Sequence, residues 1–330
     1  MLHRRVRWSA RSVVALSFAC DALLGCGSSS GGVERAVGAN PDTGPETGVV
    51  TSPTDEGLIS VWGTAADDVW AVGVAGTTIH FDGQKWSSFE SGVDQNLLAV
   101  HGSSPDDVWA VGDAGTTIHW DGQHWTQSDA ASYESLLGVW SNGPNDVWAV
   151  GTDNDDAAGV LRHWSGTAWE DDEVPGSASL WKVWAGGTGD VWMVGTGLSG
   201  EGFIERGDGK SFDTFAYSGT SLRSIWGTPT GHVWVAAYDG TIQHWDGSTW
   251  VGFGNAPAGH LLGIWGSSES DVWAVGLDGT VLHGDGRNWS RASVQATGVL
   301  WSVWGSDANN VWVVGSGGTI LKWNGSAWLE

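Results

Sequence analysis

From Leu58 onward one phrase recurs seven times, and this periodicity limits the fold more than any other property of the chain. Each repeat reads Leu-x-x-Val-Trp-Gly, a polar turn, Asp-Val-Trp-Ala-Val-Gly, a glycine turn, Thr-Ile-His-Trp-Asp-Gly, then x-x-Trp, with substitutions. The tryptophan of the second segment falls at Trp70, Trp109, Trp148, Trp192, Trp234, Trp273 and Trp312, spaced by 39, 39, 44, 42, 39 and 39 residues. The two longer spacings come from insertions between Gly151 and Gly159 and between Gly195 and Gly202. Other columns keep the register. Leucine opens every repeat at Leu58, Leu97, Leu136, Leu180, Leu222, Leu261 and Leu300, and a last aromatic column runs Trp86, Trp125, Trp169, Phe212, Trp250, Trp289, Trp328.

Each repeat holds four short β-rich segments separated by turn residues, the content of one four-stranded antiparallel blade. Along the second segment Val69 and Ala71 point one way, Trp70 and Val72 the other. A strand apolar on both faces must be covered on both, as it is when sheets stack around a ring. An open stack would need polar caps on its terminal repeats, and neither end carries one. The expected fold is therefore all-β: a seven-bladed β-propeller of four-stranded antiparallel blades over residues 58–330, with repeats starting near 58, 97, 136, 180, 222, 261 and 300. The usage of 26 Trp and 52 Gly agrees with it. The last sheet needs a closing strand, which either Trp328 to Glu330 or Val49 and Val50 can supply.

The N-terminal residues carry different information. Arg4, Arg5, Arg7 and Arg11 precede a mostly apolar stretch, 13–24, too short to span a membrane and interrupted by Asp21, which reads as a signal peptide over 1–25. Its end, Leu23-Leu24-Gly25-Cys26, resembles the lipobox of bacterial lipoproteins, and the resemblance implies that Cys26 is the lipidated new N-terminus. Residues 26–57, rich in Gly, Ser and Pro, form a flexible linker. Processing removes Cys20, so no internal disulfide is expected. Together these features predict an exported monomer held to the envelope, at the outer membrane, through its lipid anchor. The formal charge of −24 opposes a nucleic-acid partner.

The unit Asp-Val-Trp-Ala-Val-Gly followed by Thr-Ile-x-x-Trp-x-Gly resembles the tectonin-type repeats of β-propeller lectins and related bacterial surface proteins. Asp246-Gly247-Ser248-Thr249-Trp250 is similar to the Asp-box of sialidase-like propellers but lacks the spacer residue. The resemblance implies a fold and not an activity.

One column is basic throughout: His80, His119, His163, Arg206, His244, His283 and Lys322. It suits a ring of donors for an anion or metal, or a structural brace to the carboxylate that opens the second segment (Asp68, Asp107, Asp146, Asp190, Asp271), similar to the Asp–His pairing of WD-type repeats. Copying into every blade favours the brace. The same reasoning assigns the repeated tryptophans to the inter-blade core; Trp181 and Trp301 stand apart because other blades have Leu, Ile or Arg at that register.

Function is expected where repeats differ. The second-to-third-strand loops of repeats three and four carry Asp153, Asp155, Asp156 and Glu201, and the outgoing connection of repeat three carries Glu170, Asp171, Asp172 and Glu173. These acids, with Trp181 and Trp301, are the candidate ligand-binding residues. Asp153-Asn154-Asp155-Asp156 begins like a Ca²⁺ loop but lacks the Gly at its sixth position and the Glu at its twelfth. No other cofactor is expected.

Catalytic residues are not expected. The arginines beyond the signal segment (Arg35, Arg162, Arg206, Arg223, Arg287, Arg291) share no motif that would make the triad sialidases need, and no zinc, serine-elbow or phosphate-loop motif occurs. The sequence points to a non-catalytic, envelope-anchored module that binds a glycan or an envelope protein through propeller loops. A polysaccharide hydrolase or lyase, and an assembly scaffold in an envelope complex, are the alternatives.

Overall fold

Strand pairing follows the repeats one for one. The computed structural model describes residues 50–330 except 129–133, 154–157, 175–176, 188 and 254–258. The expected signal peptide, Cys26 and most of the linker lie outside the described residues, as do Asp155 and Asp156. The compact unit Thr47–Glu330 contains seven four-stranded antiparallel sheets, each built from consecutive strands. In blade 1 these are Leu58–Ala65, Asp68–Gly73, Thr78–Phe81 and Trp86–Phe89, from the ring's inside outwards. Among the described residues helix is confined to three 3-10 turns, and no helix is long and apolar enough to cross a membrane.

The two faces of each second strand separate as its alternation requires. Val69 and Ala71 pack with Trp312 and Val314 of blade 7, while Trp70 and Val72 pack with Val108 and Ala110 of blade 2. The ring is therefore closed. Each second-strand indole meets the outer aromatic of the next blade: Trp70 and Trp125 lie 5.2 Å apart at 87°, and Trp312 meets Trp86 across the closing seam at 5.3 Å and 90°. Burying one such indole removes on the order of 200 Å² from water, about 5 kcal/mol before conformational costs.

The C-terminus supplies the last strand. Trp328–Leu329 pairs with Ile320–Trp323, and Val50 instead packs on the cluster between blades 1 and 7. At the third-to-fourth-strand turns Gly83, Gly122, Gly166, Gly209, Gly247, Gly286 and Gly325 all have φ between 83° and 97°. The preceding side chain holds the turn: Asp82 Oδ1 accepts the N–H groups of Gln84 and Lys85 at 3.0 and 2.9 Å. Those bonds keep the Asp82 carboxyl below its ordinary range.

The innermost strands share an irregularity. In each blade one residue after the opening leucine is left out of the pairing with the second strand. Such a bulge re-aims one side chain while the ladder continues. The residues so placed are Ile59, Leu98, Leu137, Trp181, Arg223, Leu262 and Trp301, all half-buried.

Candidate ligand-binding site at the channel mouth

The bulge residues stand at one end of the seven innermost strands, around the mouth of the channel that these strands enclose. Four are aliphatic and three depart from the pattern: Trp181, Arg223 and Trp301. The guanidinium carbon of Arg223 lies 3.8 Å from the ring centre of Trp181 and 5.1 Å from that of Tyr238, a cation held between two π faces. Trp181 donates its Nε1–H to Thr196 Oγ1 at 2.8 Å, and the Thr196 and Ser221 hydroxyls are 2.6 Å apart. Tyr238 donates its backbone N–H to the Ser221 carbonyl at 2.9 Å and stacks on His260 at 4.3 Å. Blades 4, 5 and 6 thus contribute to one cluster.

Among the described residues Arg223 has no carboxylate partner, and its buried Nε has no hydrogen-bond acceptor. Burial pulls Arg223 down to about 10, against an opposing pull from Tyr238, so it stays charged at neutral pH. Tyr238 is 36% exposed, and Leu198, at the tip of the second-to-third-strand turn of blade 4, is 68% exposed. The mouth offers a fixed cation, aromatic faces and exposed apolar surface.

Trp181 and Trp301 come to this mouth, and Asp153 and Glu201 stand at the same end of the ring, where second strands turn into third strands. Asp153 accepts the Ala158 N–H at 3.2 Å and closes its own loop, and Glu201 accepts the Ser199 N–H at 3.1 Å. Glu170, Asp171, Asp172 and Glu173 are not in a connection: they lie in the outermost strand of blade 3, Trp169–Glu173. The insertion lengthens the third strand to Gly159–Trp164, which gives Glu173 a partner in Val160 and extends the ladder through all four acids. Asp171 pairs with Arg162 at 2.9 Å, on the rim of the ring. Among the described residues no cluster of three or more His, Cys, Asp or Glu side chains suits a metal. Arg223, Tyr238 and Leu198 were not singled out from sequence. The available signal was that Arg223 is the one cation in an otherwise apolar column.

The basic column sits in the walls between blades. His80, His119, His163, Arg206 and His283 reach Asp68, Asp107, Asp146, Asp190 and Asp271 at 2.6 to 2.8 Å. Burial pushes Asp68, Asp107 and Asp271 up, but hydrogen bonds from the histidine and a Ser or Thr hydroxyl outweigh it and leave these carboxyls below their ordinary range. Blade 5 differs. His232 replaces the aspartate and its Nδ1 lies 2.9 Å from His244 Nε2, and burial together with the His232 charge pulls His244 down. Common to all seven is contact with the second-strand tryptophan: four histidines stack on it at 4.0 to 4.3 Å, His80 meets it tilted at 4.5 Å, and Arg206 and Lys322 lie over the indole at 4.8 and 5.1 Å.

No family model and no curated protein matches the chain. Solved structures do. YCF48 bound to D1 peptide is similar with a TM-score of 0.67 and 18% identity, over 84% of this chain and 96% of that one. YCF48 from Cyanidioschyzon merolae gives 0.67 and 17%, over 85% and 99%. The WD40 β-propeller domain of Doa1 gives 0.65 and 15%, over 82% and 94%. At these identities the likeness concerns the fold, and with the blade count it establishes a WD40-like seven-bladed β-propeller.

Proposed function

We propose that this chain is a non-catalytic binding module that recognises a protein through the channel mouth of blades 4, 5 and 7, using Arg223 to meet an acidic group of the partner. The observation that carries the reading is the aromatic-clasped Arg223, unpaired among the described residues in a chain with 38 Asp and Glu against 14 Lys and Arg. A desolvated guanidinium is costly to leave without an acceptor, and Arg presents a planar fork that fits a carboxylate. Trp181 would supply rigid apolar contact beside it, and Trp301, at the same register in blade 7, would add a second indole to the mouth. That a propeller of similar fold, YCF48, is seen with a peptide supports a protein ligand.

The same reading includes envelope anchoring through Cys26, with residues 26–57 as tether, and a tectonin-like origin of the repeat. An acidic glycan offers the same carboxylate chemistry and is the second reading, favoured by the aromatic faces at the mouth. Ca²⁺ at 153–156 is not needed for either.

The test is affinity capture on immobilised chain, followed by a binding titration of the captured protein and, in parallel, a panel of neutral and uronic-acid glycans. Arg223→Leu, which installs the residue of blades 2, 3 and 6, should weaken the true ligand at least tenfold without loss of thermal stability. Equal binding by Arg223→Leu and by Trp301→Leu would overturn the mouth as the binding surface. Release of reducing ends or unsaturated sugars would overturn the non-catalytic reading.

A further inference from the structure

Below the mouth the innermost strands enclose a cavity of about 210 Å³. The position following the bulge is small in six blades, at Ser60, Ala99, Gly138, Ser224, Gly263 and Ser302; in blade 4 it is Lys182. Lys182 lines the cavity, enclosed by protein yet touching the internal space, and has no hydrogen bond or ion pair among the described residues. None of the lining residues is Asp or Glu. In so acidic a chain, a channel with one cation and no acid is the electrostatic opposite of the rest of the molecule.

The remaining polar groups of the wall are also turned into donors. Ser302 Oγ accepts the Val61 N–H at 3.3 Å, Ser60 Oγ that of Val100 at 3.2 Å, and Ser224 Oγ that of Ile264 at 3.2 Å. A hydroxyl that accepts from the neighbouring blade still has its own O–H to donate. His101 Nδ1 accepts the Ser141 N–H at 3.0 Å, which leaves its proton on Nε2. Burial and the nearby Lys182 charge pull His101 down to about 3, so it is neutral at physiological pH.

His101 has a structural origin. In every other blade this register is Trp, and in blades 1 and 4 to 7 its ring lies over a glycine of the next blade, as Trp62 lies over Gly102 and Trp304 over Gly63. Blade 2 has the smaller imidazole, and blade 3 carries Ser141 instead of that glycine. The exchange places a hydrogen-bonding ring in a wall otherwise made of indoles.

A buried cation in a cavity whose lining holds no carboxylate lacks the anionic partner that would offset its desolvation. We infer that the central channel is a binding site for a small organic carboxylate, held by Lys182 and the hydroxyls of Ser60, Ser224 and Ser302, with its apolar part against Trp62 and Trp140. The cavity exceeds what a bare inorganic ion fills, and the indole walls suit a carbon framework. This site does not depend on the mouth being a docking surface.

The experiment is a thermal-melt titration of the chain in chloride buffer at pH 7 with benzoate, using benzamide, sodium chloride and inorganic phosphate as comparison probes. Benzoate should raise the melting temperature saturably, and the other three should not. Lys182→Met should lower the apparent affinity for benzoate at least tenfold. Lys182→Ser, which installs the residue of blades 1, 5 and 7, should do the same and serves if Met is not tolerated. A benzoate response retained in either variant, or matched by benzamide, chloride or phosphate, overturns the assignment. Arg223→Leu should leave the benzoate response unchanged; loss there would put the anion at the mouth and overturn the channel site, whereas partner binding lost in Arg223→Leu alone leaves the two sites independent.

Discussion

Replacing Lys182 with Met keeps the unbranched stem and removes the charge, so it isolates what the unpaired ammonium costs the fold. Burial lowers the group from 10.5 to about 8. At about 1.4 kcal/mol per unit this corresponds to roughly 3 kcal/mol of destabilisation in the charged form, and water in the channel reduces it to about 1–3 kcal/mol. The sign follows from the direction of the shift. The penalty is complete below the folded-state value near 8, shrinks as pH rises, and is gone above the unfolded value of 10.5. His101, the other titratable group facing the channel, is neutral throughout this window. Lys182→Met should therefore melt about 2–6 °C above the parent at pH 7, at about 2 °C per kcal/mol for a domain of this size. The gap should close by pH 10.5, and saturating benzoate should narrow it at pH 7 by stabilising only the parent. Calorimetry in chloride buffer measures all three. A variant no more stable than the parent at pH 7, or a gap unchanged at pH 10.5, refutes the reasoning.

Three further outcomes follow from the blade architecture. Asp107→Ala strands the Trp109 Nε1–H, bound at 3.1 Å, together with His119 and Ser103; urea titration should show a loss of about 2–4 kcal/mol. Because Asp68, Asp107 and Asp271 sit below their ordinary value, the stability they contribute is present above about pH 4 and lost as pH falls through the folded-state values. An acid titration followed by tryptophan fluorescence should accordingly show a midpoint below pH 4, and a shallower transition in the triple Asn variant. Deleting residues 328–330 removes the strand that closes blade 7 and the ring 5.1 Å from Trp273; the melt should fall by an amount equivalent to about 3–5 kcal/mol, and a smaller change than 1 kcal/mol would contradict a closing role for this strand.

The repeat was fully apparent in the sequence because its determinants are local. A leucine, a tryptophan and a turn glycine recurring at fixed separations specify four strands and three turns within one blade, and apolar residues on both strand faces leave stacking in a ring as the way to cover them. The turn conformation at Gly83 and its six equivalents, and the separation of Val69 from Trp70 onto opposite faces, follow from that information alone. The pairing of five basic residues with the aspartates of the second strands was also visible, since both members belong to the same repeat.

What the repeat does not encode is the meeting of residues that break it. Arg223 and Tyr238 belong to one repeat and Trp181 to the one before, and each reads as an isolated substitution until the bulge turns the first and last toward the mouth. The donor character of the channel depends on which side chains seven separate strands direct inward, and on hydroxyls already committed to the neighbouring blade. The acids at 170–173 read as a loop because nothing in their own composition marks them as strand; they take the outer-strand register that Ser87, Ser88 and Phe89 hold in blade 1, and the insertion earlier in blade 3 adds the pair for Glu173. Periodic residues determine the scaffold through short-range pattern, whereas the site arises from aperiodic residues whose proximity is created by closing the ring.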